Sequence, residues 1–228
     1  MENHSYSEVA NAPYLSSFAS RGTLFTNYHA NTHPSLPNYM AMTSGKLLCN
    51  GSDSCPRDSF ANNNIFRQAT YYGVSWKAWE ESMPSNCDPQ DSGQYAVRHN
   101  PPPYYTDINP SPCSTNDVPL PSSPSLARFN FVTPDVCSDM HSCSVSTGDT
   151  WLSKHVPAYL ADGAIVIITF DEDDHSSGNH VYTAEVGPGV PVKHDAGSYT
   201  HYNLLGGLEK YFGFGTLGNA VGKTPLPV

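Results

Sequence analysis

The sequence has few basic residues and no cluster of them. Its 228 residues include 11 Lys and Arg against 21 Asp and Glu, which gives a formal net charge of −10 at pH 7. Proteins that bind nucleic acid through a basic surface need clustered cations to displace the counterions of the phosphate backbone. We therefore expect no nucleic-acid partner.

Long apolar runs, internal repeats and low-complexity tails are also absent. No run approaches the roughly 20 apolar residues that a membrane-spanning helix needs, so we expect no transmembrane segment. A length of 228 residues is enough to bury one substantial core, and we expect a single domain over residues 1–228 that is a monomer. The abundance of Pro (20), Gly (17) and Tyr (14) predicts long ordered loops on a rigid scaffold.

The six cysteines lack the CxxC spacing of structural zinc sites and lie in loop-like sequence, which favours disulfides. Among the possible connectivities, pairing between sequence neighbours needs only short loop closures. This hypothesis joins Cys49 with Cys55, Cys87 with Cys113, and Cys137 with Cys143. Disulfides indicate an oxidising compartment, and hence a secreted protein. No signal peptide is visible, and we expect a processed or truncated amino terminus.

The most informative stretch covers residues 163–174 and reads GAIVIITFDEDD. Its apolar part is too short for a buried helix and too uniformly apolar for a half-exposed strand, which predicts a central strand of a parallel sheet. Ligands of open α/β sheets bind beyond the carboxyl ends of the strands. Four acids follow this strand end, and like charges in that position need a compensating cation. A metal or catalytic site is our interpretation, and a solvated acidic loop is the alternative.

A second candidate lies in residues 31–45, NTHPSLPNYMAMTSG. Pro37 at a first helical position predicts a helix start with Ser35 just before it. Unpaired backbone N–H groups and the positive end of the dipole at a helix start favour both an alkoxide and a phosphate. Ser35 is therefore either a nucleophile or an ordinary helix N-cap.

Residues 82–125 are rich in Pro, Ser, Asn, Asp and Tyr and predict a long loop over the carboxyl edge of the sheet, where such loops are usually functional. Within it Arg98, His99 and Asn100 form a polar group, although a surface turn would explain His99 as well. The other predicted helices cover residues 12–20, 61–72 and 150–161, and a further helix begins at residue 201. The other predicted strands cover residues 23–30, 74–79 and 128–132.

Further polar residues fall at strand ends or helix starts. They are Glu2, Asn3, Asp139, His141, Glu172, His180 and His201. Oxygen ligands such as Glu2 and Asn3, with Asp171, suit Mg²⁺, Ca²⁺ or Mn²⁺, whereas histidines would accommodate a softer ion such as Zn²⁺. Glu2 and Asn3 have the character of the polar tip of a strand, and we expect the apolar body of this first strand to be missing.

Six blocks of the sequence resemble, in the same order, those of the phosphoesterase family of bacterial and fungal acid phosphatases and phospholipases C. The blocks are ENHS (2–5), THPSLPNY (32–39), YAVRHNP (95–101), SDMH (138–141), ITFDEDD (168–174) and THYNLL (200–205). The chain is most similar to small secreted acid phosphatases, some of which act as phosphatidylinositol-3-phosphatases. The resemblance implies an α/β, alkaline-phosphatase-like three-layer sandwich with a mainly parallel central sheet.

The resemblance also implies roles for the candidate residues. Ser35 would form a phosphoseryl intermediate beside a divalent metal, Mg, Ca, Mn or Zn, and His99 or His141 would protonate the leaving oxygen. The expected metal ligands are Glu2, Asn3, Ser35, Asp139, Asp171, Glu172 and His180. The expected substrate-binding residues are Asn38, Arg98, Asn100 and His201.

The predicted function is hydrolysis of a phosphomonoester, either a small molecule or a lipid headgroup. Two rivals stay open. One is a phospholipase C that cleaves phosphodiesters, and the other is a secreted metal-binding module without catalysis.

Overall fold

A computed structural model describes all residues from Met1 to Val228. The strands are β1 (Thr23–Phe25), β2 (Tyr28–His29), β3 (Trp76–Glu80), β4 (Asp117–Pro119), β5 (Phe129–Thr133), β6 (Val166–Thr169), β7 (Thr183–Val186), β8 (Lys193–Asp195) and β9 (Tyr199–Thr200). The helices are α1 (Tyr6–Val9), α2 (Pro13–Ala19), α3 (Ser35–Ser44), α4 (Ile65–Tyr71), α5 (Ser111–Asn116), α6 (Val145–Ala161) and α7 (His201–Phe212). None of the helices has both the length and the apolar character needed to cross a membrane.

The contacts divide the chain into two compact units. The first consists of Met1–Thr32, Val136–Thr200 and Val228, and the second consists of His33–Asp135 and His201–Pro227. Four of the six strand pairs are parallel, namely β1 with β8, β2 with β9, and β3 with both β4 and β5. The prediction of an α/β fold with mainly parallel pairing is therefore confirmed.

The first unit contains a four-stranded sheet in the order β6-β7-β1-β8. Helices α2 and α6 pack against each other, and α2 also contacts β7 while α6 contacts β6. The predicted apolar strand forms as β6, but its expected central position in a parallel sheet is wrong. It lies at one end of the order, and its neighbour β7 is antiparallel. Apolar composition indicates that a strand is covered and does not specify its neighbours or their direction.

The second unit contains the parallel sheet β4-β3-β5, with helices α3, α4 and α7 in contact with its other elements. Its core is aromatic and aliphatic. Fully or almost fully buried members include Leu36, Met40, Ile65, Phe66, Trp76, Tyr104, Tyr105 and Leu205. Burial of such side chains is worth roughly 1.5–3 kcal/mol each, which holds the three helices on the sheet.

Several predicted boundaries shift. The helix expected from Pro37 begins two residues earlier, at Ser35. The helix expected from residue 150 begins at Val145, because the side chain of Ser144 accepts a hydrogen bond from the backbone N–H of Thr147 and caps it. The loop predicted over residues 82–125 contains α5 and β4, and β4 adds to the sheet through parallel pairing with β3.

The predicted disulfides are confirmed in all three cases. Cys49 pairs with Cys55, Cys87 with Cys113, and Cys137 with Cys143, with Cα–Cα distances of 5.4, 5.5 and 4.7 Å. No cysteine is free. The Cys49–Cys55 and Cys137–Cys143 bridges each join cysteines six positions apart and so close two short loops.

Candidate functional site

The amino-terminal residues of the first unit lie beside the end of β6. The terminal amino group of Met1 donates to the carbonyl oxygen of Thr169 at 3.1 Å, and the N–H of Asp171 donates to the carbonyl oxygen of Met1 at 3.0 Å. The N–H of Asn3 then donates to Oδ1 of Asp171 at 3.3 Å. These contacts bring Glu2 and Asn3 to the carboxyl end of β6, where the acids begin.

The loop closed by the Cys137–Cys143 disulfide reaches the same segment. The N–H of Glu2 donates to the carbonyl oxygen of Asp139 at 2.9 Å. Asp139 is fully buried, and its Oδ1 accepts from the N–H of His141 at 2.7 Å. The ring of His141 is exposed, with Nδ1 3.0 Å from Oγ of Ser142. These contacts bring Glu2, Asn3, Asp139 and Asp171 together in the first unit.

The four acids after β6 separate into two pairs. The side chain of Asp173 shapes its own loop, because it accepts from the N–H groups of His175, Ser177 and Asn179 at 2.8 to 2.9 Å. Asp174 lies on the outside of the same loop, where its Oδ1 accepts from the N–H of Ser176 at 3.2 Å. Asp171 and Glu172 are 1% and 5% exposed. They are therefore the two buried acids of the run whose carboxylates do not shape the loop of residues 173–179.

The residues around Asp171 fit a divalent metal. Glu2, Asp139, Asp171 and Glu172 are buried carboxylates, and the carboxamide oxygen Oδ1 of Asn3 is buried without a hydrogen-bond partner. A buried oxygen without a donor costs about 1–3 kcal/mol unless something else satisfies it. Carboxylate and carboxamide oxygens are the ligands preferred by Mg²⁺, Ca²⁺ and Mn²⁺, so the donor set favours a hard cation over a soft one.

His180, which the resemblance implied as a metal ligand, makes a set of contacts of its own. Its ring stacks between Tyr6 and His29, with centroid distances of 4.7 and 5.0 Å, and its Nε2 lies 3.1 Å from the carbonyl oxygen of Thr26. Burial lowers the pKa of His180 from its ordinary value, and the neighbouring His29 lowers it further. These contacts fully explain the ring as a bridge between α1 and β2.

Ser35 is the first residue of α3 in the second unit and is 3% exposed. The next N–H along the helix, that of Leu36, donates to Oδ1 of Asp53 at 2.9 Å. Asp53 lies in the short loop that the Cys49–Cys55 disulfide closes, so this loop returns along α3 to its beginning. Asp53 stabilises the start of α3 much as an N-cap does. Sequence reasoning missed Asp53, although an acid between two cysteines six positions apart, just after the helix, was a usable signal.

His99 lies against the same helix. Its ring stacks on Tyr39 of α3 with centroids 5.5 Å apart and planes 11° apart. The predicted binding residues are all in this unit, with Asn38 buried on α3, Arg98 half-buried beside His99, and His201 buried as the first residue of α7, which contacts α3. The second unit therefore collects Ser35, His99 and their predicted partners around α3 and α7.

Asn100 is also buried, and its amide is fixed by two residues that the sequence analysis did not single out. Its Nδ2 donates to Oδ2 of Asp117 at 2.9 Å and contacts the hydroxyl of Tyr95 at 3.0 Å. Asp117 is fully buried beside Glu80. No sequence signal identified this acid pair, because Asp117 stands in a segment whose composition is typical of loops.

Comparison with known proteins shows a consistent pattern. The model of the phosphoesterase family matches residues 2–215. A phosphatidylinositol-3-phosphatase of Mycobacterium tuberculosis is 30% identical over 99% of this chain and 79% of its own length. A phosphate-repressible acid phosphatase of Penicillium chrysogenum is 28% identical over 96% of this chain, and an acid phosphatase of Aspergillus fumigatus is 24% identical over 96%. The chain spans only 58% and 54% of the length of these two fungal relatives.

This chain also has the same fold as a solved structure. A protein of the alkaline phosphatase superfamily from Vibrio parahaemolyticus superposes with a TM-score of 0.64 at 14% identity, covering 99% of this chain and 68% of that one. The likeness at this identity is one of fold. It agrees with the fold that the resemblance of the sequence blocks implied.

Proposed function

The chain belongs to the phosphoesterase family, and we propose that it is a secreted acid phosphatase that hydrolyses phosphomonoesters through a phosphoserine on Ser35. It is an enzyme, a phosphoric monoester hydrolase. The observation that carries the proposal is the position of Ser35, a buried hydroxyl at the first residue of α3. The positive end of the helix dipole at that position favours both an alkoxide and a bound phosphate.

In the proposed cycle the hydroxyl of Ser35 gives its proton to solvent, its Oγ bonds to phosphorus, and the bond from phosphorus to the leaving oxygen breaks. We assign the proton that the leaving oxygen receives to His99, because its ring stacks on Tyr39 one turn along α3 from Ser35. His141 is the alternative donor. Water then attacks the phosphoserine, which releases phosphate and restores the hydroxyl of Ser35. Asn38, Arg98 and His201 bind the phosphate oxygens, and Asn100, whose two amide N–H groups donate to Asp117 and Tyr95, fixes the segment beside His99.

The residues of the first unit that would hold a divalent metal are Glu2, Asn3, Asp139, Asp171 and Glu172. A bound metal would lower the pKa of a hydroxyl nucleophile and neutralise phosphate charge. The backbone contacts of Met1, Glu2 and Asn3 hold the expected metal ligands in position at the end of β6. Mg²⁺, Ca²⁺ and Mn²⁺ suit the oxygen donors better than Zn²⁺.

The substrate class follows from the relatives. One is a phosphatidylinositol-3-phosphatase and two are acid phosphatases, so we propose small phosphomonoesters or phosphoinositide headgroups as substrates. Three disulfides support secretion into an oxidising compartment.

A comparison of two chromogenic substrates tests the proposal against the phospholipase C alternative. We expect turnover of p-nitrophenyl phosphate, loss of that turnover on chelation of divalent metals, and much slower release from bis-p-nitrophenyl phosphate. Faster hydrolysis of the diester would instead favour a phosphodiesterase. No turnover of either substrate with any divalent metal would favour a binding module without catalysis.

Asp53 provides a further prediction about the same helix. Replacing Asp53 with alanine removes the acceptor for the N–H of Leu36, and we expect a stability loss of roughly 0.5–2 kcal/mol and about a tenfold fall in kcat. Asp53→Asn keeps an acceptor oxygen and should stay close to the wild type. Asp162→Ala removes an exposed acid at the end of α6 and serves as the charge control. Equal kcat for Asp53→Ala and Asp162→Ala would show that Asp53 has no part in placing Ser35.

A further inference from the structure

Two carboxylic acids of the second unit are buried on one face of its sheet. Glu80 ends β3 and Asp117 begins β4, and they are 1% and 0% exposed. Asp117 pairs with Ala78, two residues before Glu80 on the same strand, so the two side chains point to the same face. Neither acid contacts a cation. The nearest strand cation, Lys77, points to the opposite face and donates to the carbonyl oxygen of Thr115 at 2.8 Å.

Each acid is connected to the segment that carries His99 and Asn100. Oδ2 of Asp117 accepts from Nδ2 of Asn100 at 2.9 Å. Oε1 of Glu80 accepts from Oγ1 of Thr133 at 3.1 Å, and the same hydroxyl lies 3.4 Å from the carbonyl oxygen of His99. Asp117 is therefore bonded directly to Asn100, and Glu80 reaches the backbone of His99, the proposed proton donor, through the hydroxyl of Thr133.

The environment of the pair favours protonated carboxyl groups. Burial raises the pKa of Asp117 to about 7, against the hydrogen bond from Asn100, and the charge of Asp88 adds to the rise. Burial also raises the pKa of Glu80 well above its usual range, and the neighbouring Asp117 adds to it. Tyr95, the other titratable group at the pair, has its pKa raised by burial and by both acids, so it stays neutral. No charge at this position offsets two ionised carboxylates.

We propose that Glu80 and Asp117 are positioning residues that hold His99 and Asn100 in place for phosphoryl transfer only while the pair keeps at least one proton. The inference rests on the proposed function and adds an acidic pH range to it. As pH rises, the pair loses protons to solvent, two buried negative charges repel each other, and the native arrangement of the segment loses stability. The sign follows from the raised pKa values, because a group that binds its proton more tightly when folded stabilises the fold at low pH and loses that effect as pH rises.

The test uses amides as permanent mimics of the protonated acids. Asp117→Asn still accepts from Asn100 through its oxygen, and Glu80→Gln still accepts from Thr133. The first proton leaves Asp117 near pH 7, so in the wild type we expect kcat to fall at higher pH, where Glu80 loses the second proton. Each amide variant should raise the ratio of kcat at pH 9 to kcat at pH 6 by at least about fivefold. Asp117→Ala removes the acceptor and should lower kcat at every pH, and Asp117→Asn should restore it at pH 6.

Glu209 is the matched control. It is a fully buried acid of α7 whose pKa burial raises to about 8, and its Oε1 accepts from the N–H of Leu217, away from Asn100. Glu209→Gln should leave the pH profile of kcat unchanged. A wild-type profile for Asp117→Asn and Glu80→Gln, or an equal shift for Glu209→Gln, would overturn the inference.

A second readout separates this inference from the proposed function. The backbone amide resonances of His99 and Asn100 should move between pH 6 and pH 9 in the wild type and stay fixed in Asp117→Asn. If the protein hydrolyses no phosphomonoester, the proposed function fails, while these resonances still report on the positioning. Resonances that move equally in both proteins would overturn it.

Discussion

Replacing Ser35 with alanine is expected to lower kcat for a phosphomonoester by at least about 10³-fold without unfolding the protein. Without the hydroxyl no phosphoserine forms, and the remaining groups can only bind substrate and orient water. The change removes one oxygen at the beginning of α3 and leaves the Leu36 to Asp53 bond intact, so the melting temperature should change little. Steady-state kinetics and calorimetry on the same preparation measure both quantities.

Ser44→Ala is the control for this substitution. Ser44 is buried at the other end of the same helix, where its Oγ donates to the carbonyl oxygen of Met40 at 2.8 Å. It should lose little activity. A loss below tenfold in Ser35→Ala would remove the nucleophile from the mechanism, and Ser35 would not become a helix cap instead, because Pro34 holds the N-cap position.

The second large effect is expected at the acids after β6. Asp171→Asn should weaken binding of a divalent metal and reduce metal-dependent turnover by about 10²-fold or more, because one charged ligand is lost from the oxygen set. In metal-free protein the same change should raise the melting temperature, since it removes one of several buried carboxylates that repel each other. Metal titration and calorimetry with and without chelator measure the two effects.

The neighbouring acids supply the controls for Asp171. Asp174→Asn changes an exposed residue and should affect neither metal binding nor turnover. Asp173→Asn should destabilise the loop, because three backbone N–H groups depend on that carboxylate. If Asp171→Asn lowers the melting temperature of metal-free protein as Asp173→Asn does, Asp171 is structural and the metal site lies elsewhere.

The sequence predicted where the strand and the acids lie along the chain, but it did not predict which residues they contact. The run of four acids indicated a strand end correctly, since Asp171 follows β6. The sequence could not show that Asp173 shapes its loop while Asp171 and Glu172 do not. That distinction depends on the N–H groups of residues 175–179 that donate to Asp173. The apolar residues of β6 predicted a strand correctly. They could not predict its antiparallel neighbour β7, because that pairing depends on a loop geometry that the composition does not encode.

Short-range features were predicted best. The disulfide pairing followed from the cost of closing loops, and the helix start at Ser35 was placed within two residues by Pro37. Asp53 and Asp117 were missed because their roles arise from contacts with Leu36 and Asn100, 17 residues away in each case. A buried acid in a polar, loop-like stretch has the composition of an exposed one, and only the fold distinguishes them.

Trapping the phosphorylated enzyme is the most direct measurement of the central claim. Wild-type protein is mixed with a ³²P-labelled phosphomonoester and the appropriate divalent metal, quenched in acid within milliseconds to seconds, and digested for peptide mapping. The account predicts label on Ser35 in the wild type and none in Ser35→Ala. Steady turnover with no labelled peptide, or with label on another residue, would contradict it.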